Sequence, residues 1–268
     1  MSRAAGRSPT CVHTTTSTAT SADGTRIAYD RTGEGPAVVV AAGAFCDRRT
    51  FAPLAARLAG EFTVLTHDRR GRGGSGDAEG YDPRREVEDL AAVVDAAGGS
   101  AAAFGHSSGA VLVLEAAAAG VPLTRIAAYE PPYSVEPGGT DLRDEVTALV
   151  AQGRPADAAK RFLAASGMPA EALAGVDDEP WWPPMAALAN TLPYDLALLG
   201  DGVPGPGLGR IAVPALLLGG GAGPDFFRDA VTTAAAAVPG AQVRFLDGQG
   251  HEVDQDVLAP VLAEFLRA

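Results

Sequence analysis

The sequence predicts an α/β fold: a mainly parallel central sheet with helices on both faces, plus a helical insertion over one edge of the sheet. Three observations carry this reading. Short apolar, β-branched runs alternate with segments of helical spacing, the pattern of a parallel sheet covered on both sides. The alternation breaks once, from about Tyr133 to Gly209, where no clear strand can be found. It then resumes and continues to the end of the chain.

The elements follow in order. Residues 1–20 are rich in Thr and Ser, lack an apolar stretch despite Arg3 and Arg7, and read as a flexible tail rather than a signal peptide. Thr25 to Arg31 alternates in strand fashion after a turn at Asp23-Gly24. Ala37 to Ala41 is a continuous apolar run, the mark of a strand buried on both faces. After the loop Gly43 to Arg49 and a short helix from Phe51 to Leu58, a second buried strand spans Phe62 to Thr66. It ends in the glycine- and arginine-rich loop Asp68 to Gly76. That loop lacks the Lys-Ser/Thr ending of a phosphate loop and is read as a structural turn. Arg84 to Ala97 has helical spacing, Ala101 to Phe104 is a short strand, Ala110 to Ala119 an apolar helix and Ile126 to Tyr129 another strand.

Within the interruption, helices are expected near Asp141 to Gln152, Pro155 to Ala165 and Met185 to Leu192. It closes on the Pro/Gly-rich run Gly200 to Gly209, read as a linker. A strand at Ala215 to Leu218, a helix at Phe226 to Ala237, a strand at Gln242 to Leu246 and a closing helix at Val257 to Leu266 complete the chain. The predicted division is a tail (1–20), a core (21–132 and 211–268) and a helical cap (133–210). Ligands of open α/β sheets bind outside the carboxyl ends of the strands, which is where the insertion falls.

Composition narrows the partners. The net charge is −12, the basic residues are nearly all arginine, and no basic run exists, so no nucleic-acid partner is expected. No apolar run approaches the roughly 18 residues of a membrane span, so a cytoplasmic protein acting on a small molecule is the expectation. Cys11 and Cys46 have no metal-ligand spacing and are expected to form neither a zinc site nor a disulfide. Oligomeric state is not readable.

The segment with the most chemistry is Gly105-His106-Ser107-Ser108-Gly109, a G-x-S-x-G sequence between a short apolar strand and an apolar helix. A serine on so sharp a strand-to-helix turn is held in strained backbone with its hydroxyl above the sheet. The glycines let strand and helix approach, and the helix N-terminus directs free N–H groups at the reacting oxygen. Only Ser107 has glycine on both sides at this spacing, so it is the candidate nucleophile.

With these residues the chain resembles the α/β-hydrolase family. The resemblance runs from about Thr20 to Ala268 and is strongest around Gly43, in Asp68 to Gly76, in the serine turn and in Gly248-Gln249-Gly250-His251. It implies an acyl-enzyme mechanism on an ester, lactone or thioester of a small, largely apolar molecule, without cofactor or metal. Of the four histidines, His251 occupies the family's place for the general base. His67 and His106 are then structural or flanking, and His13 belongs to the tail.

The acid departs from the common pattern. Its usual place falls near Ala222, which carries no carboxylate. Some members place the acid at the end of the preceding core strand, here Glu130 in Tyr129-Glu130-Pro131-Pro132. Glu130 is therefore favoured, with Asp225 as the alternative. The resemblance also implies an oxyanion hole of two backbone N–H groups, from Ser108 and from Ala44 (or Phe45). The family's His-Gly is here Ala42-Gly43, and a backbone donor does not need that histidine. Cys46 is expected to pack as a small hydrophobe. Phe45, Trp181, Trp182 and Tyr194 are the expected substrate-binding residues. Two alternatives share the fold: acyl transfer, cyclisation or lyase chemistry at the same site, and a non-hydrolytic small-molecule binding protein. Epoxide opening through an aspartyl nucleophile is disfavoured by the serine.

Overall fold

A computed structural model of the chain describes residues 13–138 and 140–268. Cys11, and the part of the expected tail that spans residues 1–12, lie outside the described residues. Eight strands form one sheet: β1 (Thr14–Thr20), β2 (Arg26–Thr32), β3 (Ala37–Ala41), β4 (Thr63–His67), β5 (Ala101–His106), β6 (Leu123–Tyr129), β7 (Ala215–Gly220) and β8 (Gln242–Leu246). Their spatial order is β1-β2-β4-β3-β5-β6-β7-β8. The β1–β2 and β2–β4 pairs are antiparallel, and every pair from β4 onward is parallel.

Strand β1 corrects the expectation of a tail up to residue 20. Thr14 to Thr20 pairs along its whole length with β2, from Thr14↔Thr32 to Thr20↔Arg26. It is an edge strand whose side chains are nearly all exposed. It therefore has no apolar alternation to betray it, and its β-branched threonines are the only sequence signal.

The ten helices among the described residues are α1 (Ala52–Leu58), α2 (Pro83–Ala96), α3 (Ser108–Ala118), α4 (Asp141–Ala151), α5 (Pro155–Ala165), α6 (Ala170–Gly175), α7 (Trp182–Ala186), α8 (Leu192–Leu199), α9 (Asp225–Ala237) and α10 (Gln255–Arg267). Alternate strand residues serve opposite faces, as the pleat requires. Val39, Ala103, Ala128 and Leu217 pack with α2, α3 and α9 in one buried cluster. Val38, Val40, Phe104, Tyr129 and Leu218 pack with α1 and α10 in another. Helix α3 is buried almost all round, which explains why Ala110 to Ala119 shows no polar face.

Between β6 and β7 the described residues of 133–210 contain α4 to α8 and no strand. They have a small core of their own, built on Val146, Ala158, Ala159, Val176, Trp182, Ala189 and Leu192. The single helix expected over Met185 to Leu192 is instead two. Prolines sit in the first turns of α7 and of α8, where a missing N–H costs nothing but no preceding turn can continue. A 3-10 turn at Ala189–Thr191 joins the two.

Candidate active site

The serine turn is built by close approach of backbone. A Cβ added at Gly105 would lie 2.3 Å from the Gly109 carbonyl oxygen, and one at Gly109 would lie 2.2 Å from that of Ala41. Neither position has room for a side chain, so β5 and α3 meet at van der Waals distance and the chain must reverse within Ser107. Ser107 accordingly has φ 56° and ψ −126°, and its N–H donates to the Tyr129 carbonyl at 2.9 Å. A Cβ on Gly43 would stand 2.8 Å from Ser107 Cβ, so the loop after β3 lies directly against the serine.

Only three non-glycine residues among those described have positive φ: Phe45 (59°), Ser107 (56°) and Glu130 (46°). Each such residue costs on the order of 1–3 kcal/mol and persists only where its surroundings over-determine it. Here all three converge on one end of the sheet, at the ends of β3, β5 and β6.

Glu130 is completely buried. Its Oε2 lies 2.6 Å from His251 Nδ1, and its Oε1 accepts from the Gly220 N–H at 2.7 Å. The Glu130 N–H donates to the Leu218 carbonyl at 2.9 Å, which continues the pairing of β6 with β7 one residue past Tyr129. His251 itself sits in the loop between β8 and α10. That loop is pinned from several sides. The Tyr129 hydroxyl donates to the Gly250 carbonyl at 2.6 Å, Ala222 N–H to the Gln249 carbonyl at 2.8 Å, and His106 Nε2–H to the His251 carbonyl at 2.9 Å. The Phe227 ring stacks on the imidazole with centroids 4.3 Å apart and planes 10° apart. Burial pushes the His106 imidazole down to about 3, with the nearby His251 acting in the same direction. His106 is therefore neutral, and its Nε2–H is committed to the loop. Neither the Ser107 hydroxyl nor His251 Nε2 makes a hydrogen bond among the described residues, while His251 Nδ1 is held by Glu130.

The alternative acid is not at this point. Asp225 is exposed and opens α9, and its carboxylate makes no contact with His251 among the described hydrogen bonds. Ala44 and Phe45 lie half-buried above the serine and pack against the insertion's core, where the Phe45 ring meets Phe162 edge to face at 5.5 Å. Burial pushes the Cys46 thiol up, which keeps it protonated and in keeping with a packing role. Trp182 and Tyr194 differ from expectation. Trp182 is buried in the insertion's own core, with Lys160 over its ring. Tyr194 stacks on Tyr81 at 4.0 Å and donates to Asp77 at 2.9 Å. Both are used up in joining the insertion to itself and to the loop after β4. Trp181 is exposed, edge-on to Trp182.

Two groups near the serine leave no signal in the sequence. One is Phe227, whose stacking is invisible without the turn that brings α9 back to His251. The other is a buried charge cluster. Arg69 Nη1 donates to Ser108 Oγ at 3.0 Å and to Asp195 at 2.7 Å, and Arg72 Nη2 donates to Asp195 at 2.6 Å. Glu86 takes the other side of the Arg69 guanidinium with both oxygens. No cluster of His, Cys, Asp and Glu among the described residues is arranged to hold a metal ion, and no described helix is long and apolar enough to cross a membrane.

Comparisons with known proteins agree with this architecture. The family model described as "Alpha/beta hydrolase family" matches residues 38–262. An alpha/beta hydrolase from Sphaerobacter thermophilus superposes with a TM-score of 0.87 at 47% identity, over 93% of this chain and 99% of that one. A thermophilic esterase from Thermogutta terrifontis shares the fold at 18% identity and a TM-score of 0.74, over 94% and 98% of the two chains. So does an enol-lactonase from Burkholderia xenovorans, at 23% identity and 0.72, over 94% and 100%. No curated protein matches the chain. A family model that spans most of the sheet and the whole serine turn leaves one conclusion: the chain belongs to the alpha/beta hydrolase family.

Proposed function

We propose that this protein is a serine hydrolase that cleaves an ester, lactone or thioester of a small, largely apolar molecule through an acyl-enzyme. The observation that carries the reading is the 2.6 Å hydrogen bond between Glu130 and His251, set beside a serine held at φ 56°. In this reading Ser107 Oγ attacks the substrate carbonyl and passes its proton to His251 Nε2. The carbonyl oxygen becomes an oxyanion that accepts hydrogen bonds from the Ala44 and Ser108 N–H groups. His251 then protonates the leaving alcohol or thiol as the C–O or C–S bond breaks. Water, deprotonated by the same imidazole, releases the acid and restores Ser107. Glu130 fixes the Nδ1–H tautomer and offsets the imidazolium charge.

The apolar substrate class has two supports. Phe227 stacks on the base, and Phe45, in the loop against the serine turn, meets Phe162 of the insertion. The cations closest to the turn, Arg69 and Arg72, are already paired with Glu86 and Asp195, so neither is left to receive an anionic group. An esterase and an enol-lactonase with the same fold are consistent with an acyl substrate.

The test is turnover of a panel of p-nitrophenyl acetate and butyrate, γ-butyrolactone and an acetyl thioester. Hydrolysis of at least one by the wild type, lost by about 10³-fold or more in Ser107→Ala, is the expected result. Equal turnover by Ser107→Ala overturns the reading.

A further inference from the structure

The insertion reaches the serine turn through one carboxylate. Asp195, on α8, is 3% exposed. Its Oδ1 accepts from the Ser108 hydroxyl at 2.6 Å and from Arg69 at 2.7 Å, and its Oδ2 from Arg72 at 2.6 Å. Burial raises the Asp195 carboxyl, but Arg72 and Arg69 more than offset this and hold it below the usual range. Arg72 is itself fully buried. Its Nε donates to Thr191 Oγ1 at 3.0 Å, and its Nη1 donates to the Gly43 carbonyl at 2.6 Å.

The last contact matters because the Gly43 carbonyl and the Ala44 N–H belong to the same peptide unit. In a trans peptide they point in opposite directions, and no cis bond is present among the described residues. A guanidinium on the carbonyl oxygen therefore fixes the direction of the Ala44 N–H. It also polarises the amide and makes that N–H a stronger donor, as in any hydrogen-bonded chain. The other donor, the Ser108 N–H, is the first of α3, where no intrahelical acceptor exists. Its residue is held through the hydroxyl by the same Asp195. One carboxylate of the insertion thus bears on both amides, on one through the Ser108 hydroxyl and on the other through Arg72.

We propose that Asp195 and Arg72 are positioning residues for the oxyanion hole, so that the insertion forms part of the catalytic electrostatics as well as the roof of the site. This rests on the serine-hydrolase reading above. A purely mechanical role, clamping the insertion to the core, makes a different prediction. Loss of a clamp destabilises the fold without a selective effect on the transition state, whereas loss of positioning weakens binding of an oxyanion mimic in step with the rate.

The experiment compares wild type with Arg72→Lys, Asp195→Asn and Ser108→Ala. Arg72→Lys keeps a cation for Asp195 but loses the fork that sets one nitrogen on Asp195 and another on Gly43. Each variant is measured for kcat and KM on p-nitrophenyl butyrate, for inhibition by phenylboronic acid (whose tetrahedral adduct places an oxygen in the hole), for inhibition by 1-butanol as a ground-state ligand, and for thermal unfolding. Arg72→Lys is expected to lower kcat by about 10- to 100-fold, within the cost of losing one oxyanion donor, with KM changed by less than about threefold. Boronate affinity should fall in proportion while 1-butanol inhibition stays level. If Arg72→Lys and Asp195→Asn fail to fold, Ser108→Ala removes only a hydroxyl and carries the same boronate test. A folded variant with unchanged boronate affinity overturns the proposal, whether or not kcat falls. Wild type that neither hydrolyses an ester nor binds the boronate defeats the serine-hydrolase reading instead, a separate outcome.

Discussion

Glu130 Oε2 stands 2.6 Å from His251 Nδ1, and the other oxygen of the same carboxylate is held by the Gly220 N–H. Both oxygens are committed, and the residue is held at φ 46°, so the carboxylate has one orientation. Glu130→Gln keeps the shape but no longer favours the Nδ1–H tautomer or the imidazolium. It is expected to lower kcat by about 10²- to 10⁴-fold, while Asp225→Ala stays within about twofold. Steady-state kinetics on one ester decides between them. A large loss in Asp225→Ala with none in Glu130→Gln assigns the acid to Asp225.

The serine turn depends on glycines with no space beside them. Gly109→Ala would set a Cβ 2.2 Å from a buried carbonyl oxygen of β3. Overpacking of this kind costs about 1–3 kcal/mol or more. Gly60→Ala, which meets nothing within 4 Å, should stay within about 0.5 kcal/mol. Urea unfolding of the two variants measures the difference, and equal midpoints would refute the close-approach argument.

Acid should weaken the fold before the carboxylates titrate. Burial pushes His67 down to about 4 and His106 to about 3, from an ordinary value of 6.5. A histidine whose folded pKa is depressed binds more protons when unfolded. Stability is therefore full above about pH 6.5 and falls as the pH drops towards 4 and then 3. Well below 6.5 each histidine contributes about 1.4 kcal/mol per pH unit. From pH 7.5 to 5 the two together should remove about 4 kcal/mol, read from denaturant midpoints. The depressed carboxyls of Asp195 and Glu86 add their loss only below the usual carboxylate range. A profile flat from 7.5 to 5 would contradict the neutral burial of both imidazoles.

Phe227 stacks flat on His251. An aromatic pair is worth about 0.5–1.5 kcal/mol beyond its area. Phe227→Leu is therefore expected to lower kcat by roughly two- to tenfold, with the thermal midpoint nearly unchanged because the residue is half-exposed. An unaltered kcat would mean that the Glu130 hydrogen bond alone orients the ring.

Much of this was legible in the sequence. A run as short and β-branched as Ala37 to Ala41 fits a strand buried on both faces, and Ser107 is marked by the glycines that its turn requires. Other parts leave no local trace. Thr14 to Thr20 lies at an exposed edge, so nothing in its hydrophobic pattern reports the pairing with β2. Asp195 looks like any acidic residue on a short helix; its contacts with Arg69, Arg72 and Ser108, which are distant in sequence, form only when the insertion folds back. Trp182 illustrates the reverse. A large aromatic in an insertion is equally compatible with lining a pocket and with filling a small core, and only packing decides.

In the proposed mechanism Ser107 is a nucleophile activated by His251. The most direct test is intact and peptide mass spectrometry after exposure to a fluorophosphonate probe. A single adduct on the peptide that contains Ser107, abolished in Ser107→Ala and strongly slowed in His251→Ala, is the predicted result. A folded wild-type protein that takes no label, or that labels equally fast after Ser107→Ala, would contradict it.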